Sequence, residues 1–229
     1  MNWRGTLAEG IGTFAFFFIG AGAICTNAMT GGQVGPVGIA LAHGLALAIM
    51  ISAFGAVSGG HFNPAVSIAM AVVGRLSAAQ TVLYVIAQLI GAVIAGFVLR
   101  LVFAEAFPAA VSGAPHLGTP GLAPAVSFGS GILIEAILTF FLLLAIFGTA
   151  VDPRAPRIGG FGIGLTVAFD ILMGGPLTGA AMNPARTFGP ALASGFFDNH
   201  LVYWVGPIVG AIVAAVIYET FIMEKKREA

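Results

Sequence analysis

The sequence predicts an all-α membrane protein, with six transmembrane helices plus two re-entrant half-helices in an inverted repeat. Three observations carry this reading. Hydrophobic residues make up 59% of the chain and charged residues only 8%, against about 25% charged in an ordinary soluble domain. Six apolar stretches are long enough to cross a bilayer core of about 30 Å. The tripeptide Asn-Pro-Ala also occurs twice, at Asn63-Pro64-Ala65 and Asn183-Pro184-Ala185, in matching places of two similar halves.

Composition excludes several classes. A mean hydropathy of +1.03 would require nearly every helix of a soluble protein to be fully buried, which 229 residues cannot arrange. The 33 glycines suit helices that approach closely in lipid. Zero formal net charge argues against nucleic acid as a partner. One cysteine, Cys25, excludes an intrachain disulfide and a cysteine-based zinc site, and no cofactor is expected. The first apolar stretch begins after Arg4 and reads as a retained helix rather than a leader.

In chain order, the spans are read over residues 5–28, 36–57, 79–103, 128–150, 158–175 and 201–223. The fifth is short and is expected to stop at Gly174-Gly175-Pro176, a breaker cluster. The half-helices follow the second and fifth spans. Proline fits a first helical position, where its missing N–H would be unpaired anyway, and the preceding asparagine caps the orphan donors. The segments 65–73 and 185–193 reach only about 13 Å at a rise of about 1.5 Å per residue, less than half the bilayer core. Arg4, Arg75, Arg154, Arg157, Lys225, Lys226 and Arg227 fall on one side if both termini lie there, and loops 27–35 and 108–124 hold no Lys or Arg. Both termini are therefore expected in the cytoplasm.

The halves match residue by residue. Leu7-Ala8-Glu9…Thr13-Phe14 pairs with Ile134-Glu135…Thr139-Phe140, and Tyr84…Gln88…Gly91-Ala92-Val93 with Tyr203…Pro207…Gly210-Ala211-Ile212. The chain is read as one domain, 1–229, built of repeats 1–105 and 126–229 joined by an extracellular loop, 106–125. Three spans per half force the second repeat to insert upside down. Inverted repeats place the working site at their interface near the bilayer centre.

These segments resemble the aquaporin, or major intrinsic protein, family along essentially the whole chain. Ser58-Gly59-Gly60-His61-Phe62-Asn63-Pro64-Ala65-Val66 and Met182-Asn183-Pro184-Ala185-Arg186 are similar to its two signature loops, and Glu9 and Glu135 to its repeat-start acids. The resemblance implies one narrow pore per subunit, passage of water and small neutral solutes, and a homotetramer in the lipid bilayer. By the family's spacing from the two motifs, the selectivity filter would be His43, Ile171, Ala180 and Arg186. Strict water channels of the family usually have Phe and His in place of His43 and Ile171. The set here looks like the plant tonoplast intrinsic proteins and their ammonia-passing relatives. Thr187 after Arg186, where glycerol-conducting members carry an acid, disfavours glycerol.

Physical roles follow. Asn63 and Asn183 would point amide donors into the pore, beside two helix N-termini that each carry about half a positive charge. Together they would interrupt a proton wire and repel cations. An arginine at the depth of Arg186 is costly unless it lines water or is paired. The alternatives are a snorkelling or ion-paired arginine, and plain N-caps for the asparagines. His43 could titrate near neutral pH, or be a satisfied packing histidine. Glu9 and Glu135 are expected to be buried acceptors for the N–H groups of the re-entrant loops. The carbonyls of Gly59, Gly60, His61, Thr178, Gly179, Ala180 and Ala181 are expected to line the pore. His116 is a candidate for the outer mouth, against an ordinary exposed loop histidine; Asp170 has no assigned role.

Three other classes compete. A secondary transporter also uses inverted repeats, but it would need a coupling-ion site, for which Asp170 is the lone candidate. An enzyme would need a base–nucleophile or metal-ligand spacing that four scattered histidines and one cysteine do not make. A structural protein with a vestigial pore differs from a channel only in flux.

Overall fold

The computed structural model describes residues 1–156 and 158–224. Arg157, Lys225, Lys226 and Arg227 of the charge argument lie outside the described residues. The described chain is helical without strands. It runs α1 (Trp3–Met29), α2 (Gly35–Ser58), α3 (Pro64–Val72), α4 (Ala78–Ala106), a single turn α5 (Ala109–Ser112), α6 (Phe128–Ile146), α7 (Phe161–Thr178), α8 (Pro184–Ser194) and α9 (Val202–Ile217). One π-helical turn extends α6 over Phe147–Val151 and another extends α9 over Tyr218–Ile222. Six of these helices are long and apolar enough to span a bilayer, among the described residues.

Both half-helices start where the asparagine–proline pair puts them. Asn63 Oδ1 accepts from Ala65 N–H at 2.9 Å, and Asn183 Oδ1 from Ala185 N–H at 3.0 Å and Arg186 N–H at 3.3 Å. The third span outlasts its expected end by three residues. It stops only at Phe107 (φ −155°, ψ 77°), because Pro108 drives the residue before it out of helical geometry.

The fifth span is a correction. Gly174-Gly175-Pro176 does not end it; α7 continues to Thr178 and closes on Gly179 at φ 82°. Proline in a helix interior costs about 3 kcal/mol, because it removes the N–H that would bond the carbonyl four residues back, here Leu172; the helix nevertheless runs two residues past Pro176. Thr178 is then fixed at both ends. Its hydroxyl donates to Glu135 at 2.7 Å, and its carbonyl accepts from Tyr203 Oη at 2.8 Å.

The two halves pack alike. Helix α1 lies on α4 and α6 on α9, while α2 meets α7 between the halves and α4 backs α8. At the α2–α7 crossing, Gly44 and Gly164 each face the other's carbonyl, so closely that a Cβ on either would collide with backbone. A residue and its repeat partner in reciprocal contact is what a pseudo-two-fold axis through the membrane plane produces, and only glycine allows the approach. The N-terminal residues meet the last turn of α2 on what is here the near face, where Asn2 Nδ2 donates to Val57 O; on the same face Arg75, after α3, pairs with Glu219 of the π-helical turn at 2.6 Å.

Candidate functional site

The loops that lead into α3 and α8 are non-helical backbone in the interior of the fold, so their donors need protein acceptors. A buried glutamate from each half provides them. Glu9 accepts from Ser58 Oγ at 2.6 Å, His61 N–H at 2.9 Å, Phe62 N–H, and Gln88 Nε2 at 2.8 Å. Glu135 accepts from Thr178 Oγ1 at 2.7 Å, Ala181 N–H at 2.9 Å and Met182 N–H at 2.7 Å. Tyr84 Oη donates to Ser58 O as Tyr203 Oη does to Thr178 O. These bonds hold Phe62, Ala180 and Met182 at positive φ of 47°, 45° and 53°, a conformation that costs a non-glycine residue on the order of 1–3 kcal/mol.

The half-helix starts then interlock. Asn63 Nδ2 donates to Met182 O at 2.8 Å, and Asn183 Nδ2 to Phe62 O at 2.9 Å. Each amide therefore spends one N–H on the opposite loop and keeps one. Sequence reasoning pointed the amide donors of both asparagines into the pore; the cross-bond takes one N–H of each and sets the direction of the other.

Both asparagines border a narrow central cavity between two wider ones. It leaves only about 20 Å³ for water centres, roughly the room of one water. The far-face cavity holds about 470 Å³ and the near-face cavity about 290 Å³. His43, Ile171, Ala180 and Arg186 all reach the central wall, which brings together the four residues counted from the motifs.

Arg186 is 2% exposed. Its Nη1 donates to Gly118 O and its Nη2 faces His43 Nε2, each at 3.4 Å, while Nε has no partner among the described residues. His43 Nδ1 bonds Ile39 O at 2.9 Å. A carbonyl can only accept, so the proton is on Nδ1 and the Nε2 lone pair is turned to the guanidinium.

The remaining expected residues divide by location. Gly60, His61 and Ala181 line the central cavity, Gly59 the near one, and Gly179 and His116 the far one. The His116 ring lies flat on Phe196, with centroids 4.0 Å apart. Thr178 is not on the wall of any of these three cavities; its carbonyl accepts from Tyr203 Oη and its hydroxyl donates to Glu135. Asp170 is buried away from the cavity wall, with neither oxygen bonded among the described residues. Sequence reasoning missed the apolar side of the wall, formed by Phe16, Leu47, Ile51, Leu142, Ile146 and Val167.

A family model described as major intrinsic protein matches residues 1–218. The chain belongs to the major intrinsic protein family. It is 45% identical to "Aquaporin TIP4-4" of Zea mays, over 96% of this chain and 87% of the relative. It is likewise 45% identical to "Probable aquaporin TIP3-2" of Arabidopsis thaliana, over 98% and 86%. Identity to "Aquaporin NIP1-1" of Zea mays is 43%, over 93% and 72%. The X-ray structure of the aquaglyceroporin from Plasmodium falciparum superposes with a TM-score of 0.83, at 26% identity over 97% of both chains. This major intrinsic protein is thus a multi-pass membrane channel for small molecules of the aquaporin type, and not an enzyme.

Proposed function

We propose that the chain carries water and ammonia passively and in single file, and excludes protons and ions. The observation that carries this reading is Arg186, buried on the central wall with an Nε unpartnered among the described residues, opposite His43, Ile171 and Ala180. Its charge raises the barrier to cations, and its free donor can replace a hydrogen bond that a solute leaves behind in bulk water. The free N–H groups of Asn63 and Asn183 face solute at the centre, where two helix N-termini add a partial positive charge each. A water there gives its oxygen to the asparagines, so its hydrogens point away in both directions and no proton wire forms. Ile171 and the apolar wall supply few partners, which penalises ammonia less than water. Glu9 and Glu135 serve as structural supports of the loops.

Arg4, Arg75 and Arg154 on the face of the chain ends support cytoplasmic termini. A homotetramer is expected from the family resemblance, and native mass determination in detergent checks it. The function is tested by stopped-flow flux in proteoliposomes, recording water shrinkage and ammonia-driven internal alkalinisation on one preparation. Both fluxes should exceed empty liposomes. Water flux alone makes this a strict water channel, and neither flux makes it a structural protein with a vestigial pore.

A further inference from the structure

We infer that Gly20 on α1 is a specificity-determining residue that sets the width of the constriction by seating the His43 ring; this rests on His43 being a filter residue. The His43 imidazole lies directly against Gly20. A Cβ built there would stand 2.6 Å from Nε2 and 2.9 Å from Cγ, whereas carbon contacts are ordinarily about 3.5–4.0 Å. The three nearest atoms to that Cβ all belong to His43, so the notch in α1 is filled first by this ring.

The ring has no second place to retreat to. Its Nδ1 is tied to Ile39 O at 2.9 Å, and Phe16, one turn before Gly20, meets it edge-on with centroids 6.1 Å apart. Helix α1 is itself packed between α2 and α4. Relief by about 1 Å, the gap between the built contact and an ordinary one, is therefore open only toward Arg186 Nη2, already 3.4 Å from Nε2. That direction crosses a passage with room for roughly one water. The width thus depends on a residue that does not touch the solute. Phe16 and Gly20 form a seat, and His43 fills it instead of the pore.

The test uses the full chain in proteoliposomes as Gly20→Ala, His43→Ala and the double variant, with water and urea flux measured on each. Gly20→Ala should lower water flux about tenfold, a barrier increment of about 1.4 kcal/mol. His43→Ala should raise urea flux relative to water. The double variant should regain the fluxes of His43→Ala, because the imidazole that the added methyl group pushed into the pore is gone. Wild-type flux in Gly20→Ala, or a loss that persists in the double variant, overturns the inference. An unchanged urea-to-water ratio in His43→Ala instead removes His43 from the filter, and the inference with it. If Gly20→Ala does not fold, the double variant should; its failure would show that the collision is not with His43.

Discussion

Glu135→Gln is the sharpest test of what holds the second loop in place. The carboxylate takes Thr178 Oγ1 and Ala181 N–H on Oε1, and Met182 N–H on Oε2. A glutamine keeps one carbonyl oxygen, best used at the Oε1 position, and turns an amide NH₂ toward the Met182 donor. A buried N–H left without an acceptor costs about 1–3 kcal/mol, and the two surviving bonds each weaken by about 1 kcal/mol on losing charge assistance. Removing a buried charge returns part of this. The net is about 2 kcal/mol, or about 4–8 °C in the unfolding midpoint for a chain of this size. Flux should fall as well. Met182 at φ 53° is free to relax once its N–H is released, and its carbonyl is the partner of Asn63 Nδ2 at 2.8 Å. The assay is thermal unfolding in detergent paired with stopped-flow water flux. A Glu135→Gln channel with the wild-type midpoint and wild-type flux would refute the reasoning.

Arg186→Ala removes the buried cation from the central wall, so permeability to larger solutes or cations should rise; no change in either would take it out of the filter. His43→Phe with Ile171→His should shift the flux ratio toward water over ammonia, and an unaltered ratio would refute the four-residue assignment. Asp152, on the near face, is held well below the usual carboxylate range, chiefly by the Arg154 side chain at 2.6 Å. A depressed folded value gives stability that is present above the ordinary value of about 3.9 and is lost as pH falls through the folded one. Asp152→Asn should therefore unfold more easily than wild type by a constant margin from about pH 8 to pH 5. The margin should begin to close only below about pH 4, and a margin that varied across neutral pH would contradict the pairing.

The helix starts at Pro64 and Pro184 were legible because asparagine capping and proline at the first position are local chemistry. The end of α7 was not. Whether a chain stops at Gly174-Gly175-Pro176 depends on Glu135 and Tyr203, which lie far away in sequence and tie down Thr178. The acidic anchors were legible because a carboxylate in an apolar run demands donors. The apolar wall was hidden for the opposite reason. His43, Leu47 and Ile51 follow one another by a helical turn, as do Leu142 with Ile146 and Val167 with Ile171. In a helix that is apolar all round, however, the stripe facing the pore reads like the stripe facing lipid. The cross-bonds of Asn63 and Asn183 were out of reach of sequence, since they depend on the registry of two loops from different halves.

The repeat also sets apolar residues opposite the proposed filter. In the register that pairs Asn63 with Asn183 and Gly44 with Gly164, Arg186 corresponds to Val66, Ile171 to Ile51, Ala180 to Gly60 and His43 to Ile163. Ile51, Gly60 and Val66 line the central cavity, and Gly60, Val66 and Ile163 the near one. The inversion therefore builds a counterpart of the filter at the near end, and the sequence leaves it apolar. One charged end is sufficient physically, because a passive flux in either direction is limited by the highest barrier on the path. A second buried arginine would repeat the cost of the first and add no exclusion. On the proposed reading, Arg186 and His43 discriminate at the far end, and Asn63 and Asn183 interrupt the proton wire at the centre. Past the asparagines the near-face cavity is lined by His61 and Arg75 beside apolar side chains, so hydrogen-bond partners return at that end without a second buried arginine.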